Sequence, residues 1–483
     1  MMRPVERNRR FLVSGLLILI LLLALGLRLY RIQAQSLWND EGTSVALAAR
    51  DLAAITRGAA NDIHPPLYYY VLHFWMALSG NSELAVRSLS ALLGVLLVLL
   101  IFALGRRMAG SAVGLVASFL VTMSPFQVYY YQETRMYILA AFLGAASMYC
   151  FVHLLSGWRG EAASTRLRHY LPSVAYSITT ILLLYTHYFA VTIIVAQNIV
   201  FLWCCLAMMR RQAGTRRASC FFPLLHWGLL QVISGLLYLP WLLLAAGQLR
   251  AWPAISEPQG LASLILDLLR VFSLGLASDS CPDFMLVGFG ALLLLGILAT
   301  CRSGKRDTRG GAGGRGGGSV SGVVPLLYLF VPVGAMYVLS LRRPMYDVKF
   351  LLLCSPPFYL FLAQGVLSIS RGTIFRTWPW VRIGFPLTAV AFLAASSACS
   401  LQAYYYDPRH ARDDYRGIAQ YIEALERGND VVLINAPGQT ETFTYYYGGS
   451  LPLYPLPRQR PVDRTRLEAE LTEMIQGRGR VFA

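Results

Sequence analysis

The chain is predicted to be an all-α polytopic membrane protein with a small α/β unit at its carboxyl end, and three observations lead there. Of its 483 residues, 56% are hydrophobic and 14% charged, with a mean hydropathy of +0.51, a balance that excludes an ordinary soluble domain. About eleven apolar runs follow one another, each near the roughly 20 residues that a bilayer requires. Beyond Tyr404 the pattern turns polar and changes period.

The first run, Phe11 to Leu27, follows Arg3, Arg7, Arg9 and Arg10 and is closed by Arg28 and Arg31. The positive-inside rule then places the segment after it, with Asp40 and Glu41, outside the cytoplasm. A cleaved signal peptide is the competing reading, supported by the small residues of Gln33-Ala34-Gln35-Ser36; the many later spans favour an anchor. Tyr30 to Glu83 is too polar to cross and too apolar to float free, which suggests interfacial helices. His64-Pro65-Pro66 starts one of them, whose Leu67, Tyr68, Val71, Phe74 and Trp75 suit headgroup depth; Pro66 to Ser79 is too short to span.

Further spans are expected near 84–105, 112–128, 137–156, 171–187, 189–209, 221–245, 284–301, 322–341, 348–369 and 383–402. The net charge of +17 is distributed as topology rather than as a nucleic-acid surface. Cytoplasmic clusters are Arg106-Arg107, Arg159 to Arg168, Arg210-Arg211 with Arg216-Arg217, Arg302 to Arg315, and Arg371, Arg376 and Arg382. The alternate gaps hold Asp40, Glu133, His187, Gln248 to Asp283 and Arg342 to Lys349, so the amino terminus is read as inside and the carboxyl terminus as outside the cytoplasmic membrane. In the fourth of these gaps, beyond Trp252-Pro253 and Glu257-Pro258, Leu261 to Leu276 reads as another interfacial helix, while the cytoplasmic Gly310 to Gly318 reads as a flexible linker. Of eight cysteines, Cys150, Cys204, Cys205, Cys220, Cys301, Cys354 and Cys399 fall in or beside spans. Only Cys281 is external, and no disulfide framework is expected.

Residues 1–402 thus form one membrane domain and 403–483 an external α/β unit. In the latter, Asp414 to Arg427 reads as a helix, Asp430 to Asn435 as a buried strand and Arg464 to Ile475 as a helix capped by Asp463. A strand begins at Arg480 to Ala483, either as a sheet edge or as the point where the chain stops short of its relatives.

Acidic residues are scarce near the spans, so each is informative. Asp40 and Glu41 at a membrane surface suggest a catalytic base. Glu133 and Arg135, in Tyr129-Tyr130-Tyr131-Gln132-Glu133-Thr134-Arg135-Met136-Tyr137, pair with each other or with a ligand, against the plainer reading of an aromatic interfacial anchor. His64 suits a phosphate, a metal or a helix cap equally; His187, alone at an interface, reads first as structural. Arg342, Arg343 and Lys349 are external cations that need a counter-charge, which a lipid-linked phosphate would supply. Walker A, HExxH and GxSxG patterns are absent from the sequence, and no GxGxxG follows a strand. An enzyme working outside has no nucleotide supply, so its donor would be carried by lipid.

At these residues the chain resembles the GT-C glycosyltransferases, in particular the bacterial branch similar to protein O-mannosyltransferases and the lipid A aminoarabinose transferase. The resemblance rests on Leu37-Trp38-Asn39-Asp40-Glu41, His64-Pro65-Pro66-Leu67-Tyr68-Tyr69, Ser82-Glu83-Leu84-Ala85-Val86-Arg87, Ser124-Pro125-Phe126 leading to Tyr131 to Tyr137, and Thr186-His187-Tyr188-Phe189. It covers residues 1 to about 370 and is specific to the superfamily, not to a substrate. It implies a polyprenyl-phosphate sugar donor, an extracytoplasmic acceptor and inverting transfer with Asp40 as general base beside Glu41 and Glu133. Arg135, Lys349 and Arg343, in that order, would hold the donor phosphate, and His64, Tyr137 and His187 would line the substrate site. Some relatives use a divalent metal and others do not, so the resemblance leaves a metal open; no other cofactor is implied. The chain departs from the pattern at His64, where some relatives have lysine, and at Lys349, where many have arginine, which replaces a bidentate fork by a point charge. A polytopic transporter is the main non-enzyme alternative, but the halves show no repeat and the ionisable residues lie at one face. A glycan ligase or polymerase using a diphosphate-linked donor is the other.

Overall fold

The computed structural model describes residues 4–158, 167–211, 221–250, 256–309, 318–371, 379–459 and 461–483. Arg159, Arg166, Arg216, Arg217, Arg315, Arg376, Trp252-Pro253, Cys220 and most of the Gly310 to Gly318 run lie outside the described residues.

Eight helices among the described residues are long and apolar enough to cross a membrane, and two bent pairs bring the number to ten. The first span lies in α1 (Pro4–Leu29). Three short helices follow, α2 (Asn39–Ala48), α3 (Leu52–Ala60) and α4 (Leu67–Ser79), and then α5 (Glu83–Ala109). The expected interfacial segment thus carries three helices joined by short non-helical stretches, with Trp75 Nε1 donating to the Ala85 carbonyl at 2.8 Å to tie α4 to α5. The predicted 112–128 span is instead α6 (Ser111–Met123) and α7 (Pro125–Tyr131), bent by 64°. Ser124 makes the break: it takes an extended backbone before Pro125, as the residue before proline must, and its Oγ caps α7.

Next come α8 (Tyr137–Trp158), α9 (Leu167–Leu184), α10 (Val191–Arg211), α11 (Phe221–Arg250), the shorter α12 (Leu261–Leu274), α13 (Asp283–Arg309) and α14 (Gly318–Ser340). The expected 171–187 span corresponds to an apolar stretch, Tyr170–Leu184, shorter than the others. The predicted 348–369 span is also bent, by 63°, between a 3-10 helix (Val348–Cys354) and α15 (Pro356–Arg371), where two prolines start the new helix. The two bends are bonded together: Gln127 Nε2 donates to Ser355 Oγ at 2.7 Å, and the Ser124 and Tyr359 hydroxyls meet at 2.7 Å. Helices α13 and α15 touch backbone to backbone, since a Cβ on Gly296 would lie 1.8 Å from the Phe361 carbonyl oxygen and one on Gly365 2.0 Å from that of Leu292.

Helix α16 (Pro379–Tyr406) leads into the terminal unit, which comprises α17 (Tyr415–Leu425), β1 (Val431–Ile434), α18 (Thr440–Tyr446), β2 (Leu453–Pro455), α19 (Arg464–Ile475) and β3 (Val481–Phe482). The sheet is parallel, and its strands among the described residues run in the order β2-β1-β3. Its core gathers Tyr415, Ala419, Ile422, Val432, Ile434, Phe443 and Leu451. Helix α18, absent from the sequence expectation, lies on α2 so closely that a Cβ on Gly42 would meet Thr442 Oγ1 at 2.2 Å.

Candidate active site

Trp38 precedes the first turn of α2, which places Asp40 and Glu41 at a helix N-terminus, where the peptide dipoles favour negative charge. The two neighbours then part. Glu41 is fully buried and accepts from Arg87 Nε at 2.9 Å and Nη2 at 2.6 Å, Arg412 Nη1 at 3.0 Å and the Thr134 N–H at 2.9 Å. Burial works against its charge, yet the Arg87 and Arg412 guanidiniums outweigh it and hold the carboxyl below its ordinary range. Arg87 also donates to the Ile32, Gln35 and Ser36 carbonyls, so this ion pair fixes the whole approach to α2.

Asp40 is part-exposed, with its Oδ2 3.7 Å from Arg135 Nη2. Its carboxylate oxygens accept no hydrogen bond among the described residues; Arg135 Nη1 instead donates to the Asp40 carbonyl at 3.2 Å and to Ser44 Oγ at 3.0 Å. Glu133 Oε1 accepts from Trp38 Nε1 at 2.8 Å and lies 4.0 Å from Arg412 Nη2, while its Oε2 is buried without a partner. Burial pushes the Glu133 carboxyl up to about 7; Arg412 pulls it down and Glu41 pushes it further up.

Arg135 and Lys349 flank the Tyr137 ring, at 5.8 Å and 5.9 Å from its centre. Lys349 pairs with Asp347 at 2.9 Å. Behind them, His64 and His187 lie 5.6 Å apart, and both rings pack against Tyr137 and Phe350. Burial pushes both imidazoles down, so they are neutral at pH 7. His187 Nδ1 accepts from the Phe189 N–H, which leaves the proton on Nε2; that atom, both His64 nitrogens and the Tyr137 hydroxyl are buried without hydrogen-bond partners. Asp62 Oδ2 stands 3.7 Å from His64 Nδ1.

Of the residues singled out from sequence, Asp40, Glu133, Arg135, Tyr137, Lys349, His64 and His187 are brought together. Arg343 is not: it is exposed, with Nη2 3.4 Å from the Arg250 carbonyl oxygen. Glu41 stands beside the group with its acceptors already engaged. Sequence reasoning missed Arg412, Asp62 and Asp347 and gave no role to Arg87 or Trp38, although the last two fall within quoted motifs. Among the described residues no three His, Cys, Asp or Glu side chains converge as metal ligands, and Asp40 and Glu133 each face an arginine.

The dolichyl-phosphate-mannose-protein mannosyltransferase family profile matches residues 63–161, a stretch that includes His64, Glu133, Arg135 and Tyr137. No curated protein matches the chain. Among solved structures, ArnT from Cupriavidus metallidurans bound to undecaprenyl phosphate superposes with a TM-score of 0.57 at 13% identity, over 95% of this chain and 89% of that one. The oligosaccharyltransferase AglB from Archaeoglobus fulgidus, in complex with an inhibitory peptide and a dolichol-phosphate, gives 0.57 at 15% identity over 94% of this chain. The chain spans 61% of the AglB length. At such identities the likeness is one of fold, and that fold is GT-C, the one the motifs pointed to.

Proposed function

We propose that the chain transfers a sugar from a polyprenyl-phosphate donor to an extracytoplasmic hydroxyl or amine, with Asp40 as general base. The carrying observation is the contrast at α2: a part-exposed carboxylate with no hydrogen bond to its oxygens stands 3.7 Å from a guanidinium, with a second cation across the Tyr137 ring. Asp40 takes the proton of the acceptor as its oxygen or nitrogen bonds to the anomeric carbon. The bond from that carbon to the phosphate oxygen breaks on the opposite face, its electron pair leaves with the lipid phosphate, and configuration inverts. Arg135 and Lys349 stabilise the departing charge. The unpartnered Tyr137 hydroxyl and His64 and His187 nitrogens offer hydrogen bonds to the sugar or phosphate. Glu41 is scaffold, Glu133 orients Trp38, and exposed Arg343 is left out of the phosphate site. The fit of the fold to proteins solved with undecaprenyl phosphate and a dolichol-phosphate supports a lipid-borne donor.

The test is transfer of radiolabelled sugar from polyprenyl-phosphate hexose to an envelope extract by purified wild type and Asp40→Asn. Wild-type transfer reduced by about 10²–10⁴ in the variant, with undecaprenyl phosphate still bound, is expected. Equal transfer by both removes Asp40 from the role, and failure of wild type to bind the lipid phosphate removes the donor.

A further inference from the structure

The strap between α16 and α17 returns to the membrane domain and inserts Arg412 between two carboxylates. Its Nη1 is 3.0 Å from Glu41 Oε2, its Nη2 4.0 Å from Glu133 Oε1, and its guanidinium lies over the rings of Tyr129 at 4.5 Å and Trp38 at 5.6 Å. The side chain is only 9% exposed. Neighbouring contacts fasten the strap to the segment entering α2 and to the head of α5. The Arg412 N–H donates to the Gln35 side chain at 2.9 Å, Arg416 pairs with Glu83 at 3.2 Å, Tyr446 accepts from the Leu37 N–H at 2.6 Å and Thr442 donates to the Asn39 carbonyl at 3.0 Å.

We propose that Arg412 is a positioning residue of the active site, supplied by the external unit: it clamps Trp38 and Glu133 against Glu41 and thereby sets the N-terminus of α2 from which Asp40 works. The catalytic meaning of the clamp rests on the transferase reading; the clamp itself does not. Without Arg412, Glu41 keeps Arg87, but Glu133 is left buried beside Glu41 with no guanidinium across from its Trp38 bond. The charged groups acting on Glu133 are Arg412, Arg135, Asp40 and Glu41. The phenols that feel its charge are Tyr68 from α4, Tyr129 and Tyr130 from α7, Tyr137 from α8 and Tyr404 from α16.

The full chain is to be examined as wild type, Arg412→Gln and Arg412→Lys by infrared spectroscopy, the carboxylic-acid band of Glu133 being assigned by its loss in Glu133→Gln. In wild type the band should fade with a midpoint near pH 7. Removing the opposing charge in Arg412→Gln should raise that midpoint by about 1 pH unit or more, and Arg412→Lys should restore most of the difference. A midpoint that stays put in Arg412→Gln overturns the clamp, because a role in packing alone would not move it. If Arg412→Gln does not fold, Arg412→Lys, which keeps the charge but loses the fork, must still give a smaller upward shift. In transfer assays kcat should fall in Arg412→Gln with the donor KM changed less than about twofold. Absence of wild-type transfer would sink the transferase reading while leaving the infrared result to decide the clamp.

A second contact stands apart from the chemistry. The Sγ atoms of Cys281, before α13, and Cys399, on α16, lie 3.1 Å apart. Cys399, which the hydropathy pattern places in the last span, reaches the loop of Cys281, where Ser400 Oγ also donates to the Leu274 carbonyl. We infer that the two thiols oxidise to a disulfide as the chain assembles: both S–H bonds break, an S–S bond forms, and two protons and two electrons pass to a disulfide-carrying oxidoreductase, reduced to its dithiol. In the reduced form burial and the neighbouring Cys399 sulfur push the Cys281 thiol up to about 12, so the pair carries little thiolate and suits a structural bridge rather than a redox switch. Alkylation of the protein in denaturant without reductant, followed by peptide mass analysis, should give a linked Cys281–Cys399 peptide pair. Both cysteines alkylated before reduction would overturn it.

Discussion

The two sides of the α2 N-terminus differ in kind. Toward α5 and the carboxyl-terminal unit both carboxylate oxygens of Glu41 are engaged, by Arg87, Arg412 and the Thr134 backbone. Toward α8 and the 348–354 turn, Tyr137, His64 and His187 carry buried polar atoms with no hydrogen-bond partner among the described residues, and the part-exposed Asp40 carboxylate stands 3.7 Å from Arg135. A buried group that nothing in the fold satisfies is costly, so its persistence points to a ligand. One side therefore holds the helix still, and the other is where chemistry is proposed.

The largest effects should separate these sides. Asp40→Asn should cut transfer by about 10²–10⁴ with little change in thermal stability, whereas Glu41→Gln should lower stability by roughly 3–5 kcal/mol, since Arg87 and Arg412 would lose a buried counter-charge. If Asp40→Asn destabilised as much as Glu41→Gln in thermal unfolding, the contrast would collapse. Next, Lys349→Ala or Arg135→Ala should each lower kcat about 10²-fold, with Lys349→Arg recovering most of it.

Smaller still is the pH response. Glu133, held up at about 7 from an ordinary 4.5, keeps a proton in the native state that the unfolded chain has released, so it removes stability as pH rises between those values. His64 and His187, held down by burial, act oppositely: the unfolded chain binds protons that the native state refuses, and stability is lost as pH falls below about 6.5. Melting temperature plotted from pH 4.5 to 7 should therefore climb more steeply in Glu133→Gln than in wild type; an unchanged slope would mean that Glu133 titrates normally. Arg343→Ala should be the mildest change, within about 0.5 kcal/mol of wild type. A large loss of donor binding in that variant would return Arg343 to the phosphate site.

Hydropathy made the spans and the interfacial helices legible, because burial in lipid imposes a length and a composition on each. It could not show the breaks at Ser124-Pro125 and Ser355-Pro356, since an apolar run reads the same bent or straight, and those bends bring Lys349 to Tyr137. Motifs picked out most of the open side of the site. The resemblance named Asp40 as the base, but nothing in the sequence showed that the acceptors of Glu41, identical in charge and adjacent, are already engaged, because that difference lies in what α5 and the strap bring to it. Arg412 was invisible for the same reason: its partner Glu41 is 371 residues away.

That separation also has a timetable. At about 5–20 residues per second, the ribosome makes Arg412 roughly 20–70 s after Glu41. Once Arg87 and Glu133 have been made, the nascent chain for the rest of that interval has Arg87 available to Glu41 but no Arg412 for Glu133, so the charge balance at α2 is completed only late in biosynthesis. Nascent chains arrested before the strap are thus the place to look for chaperone or protease recognition of an α2 helix not yet locked.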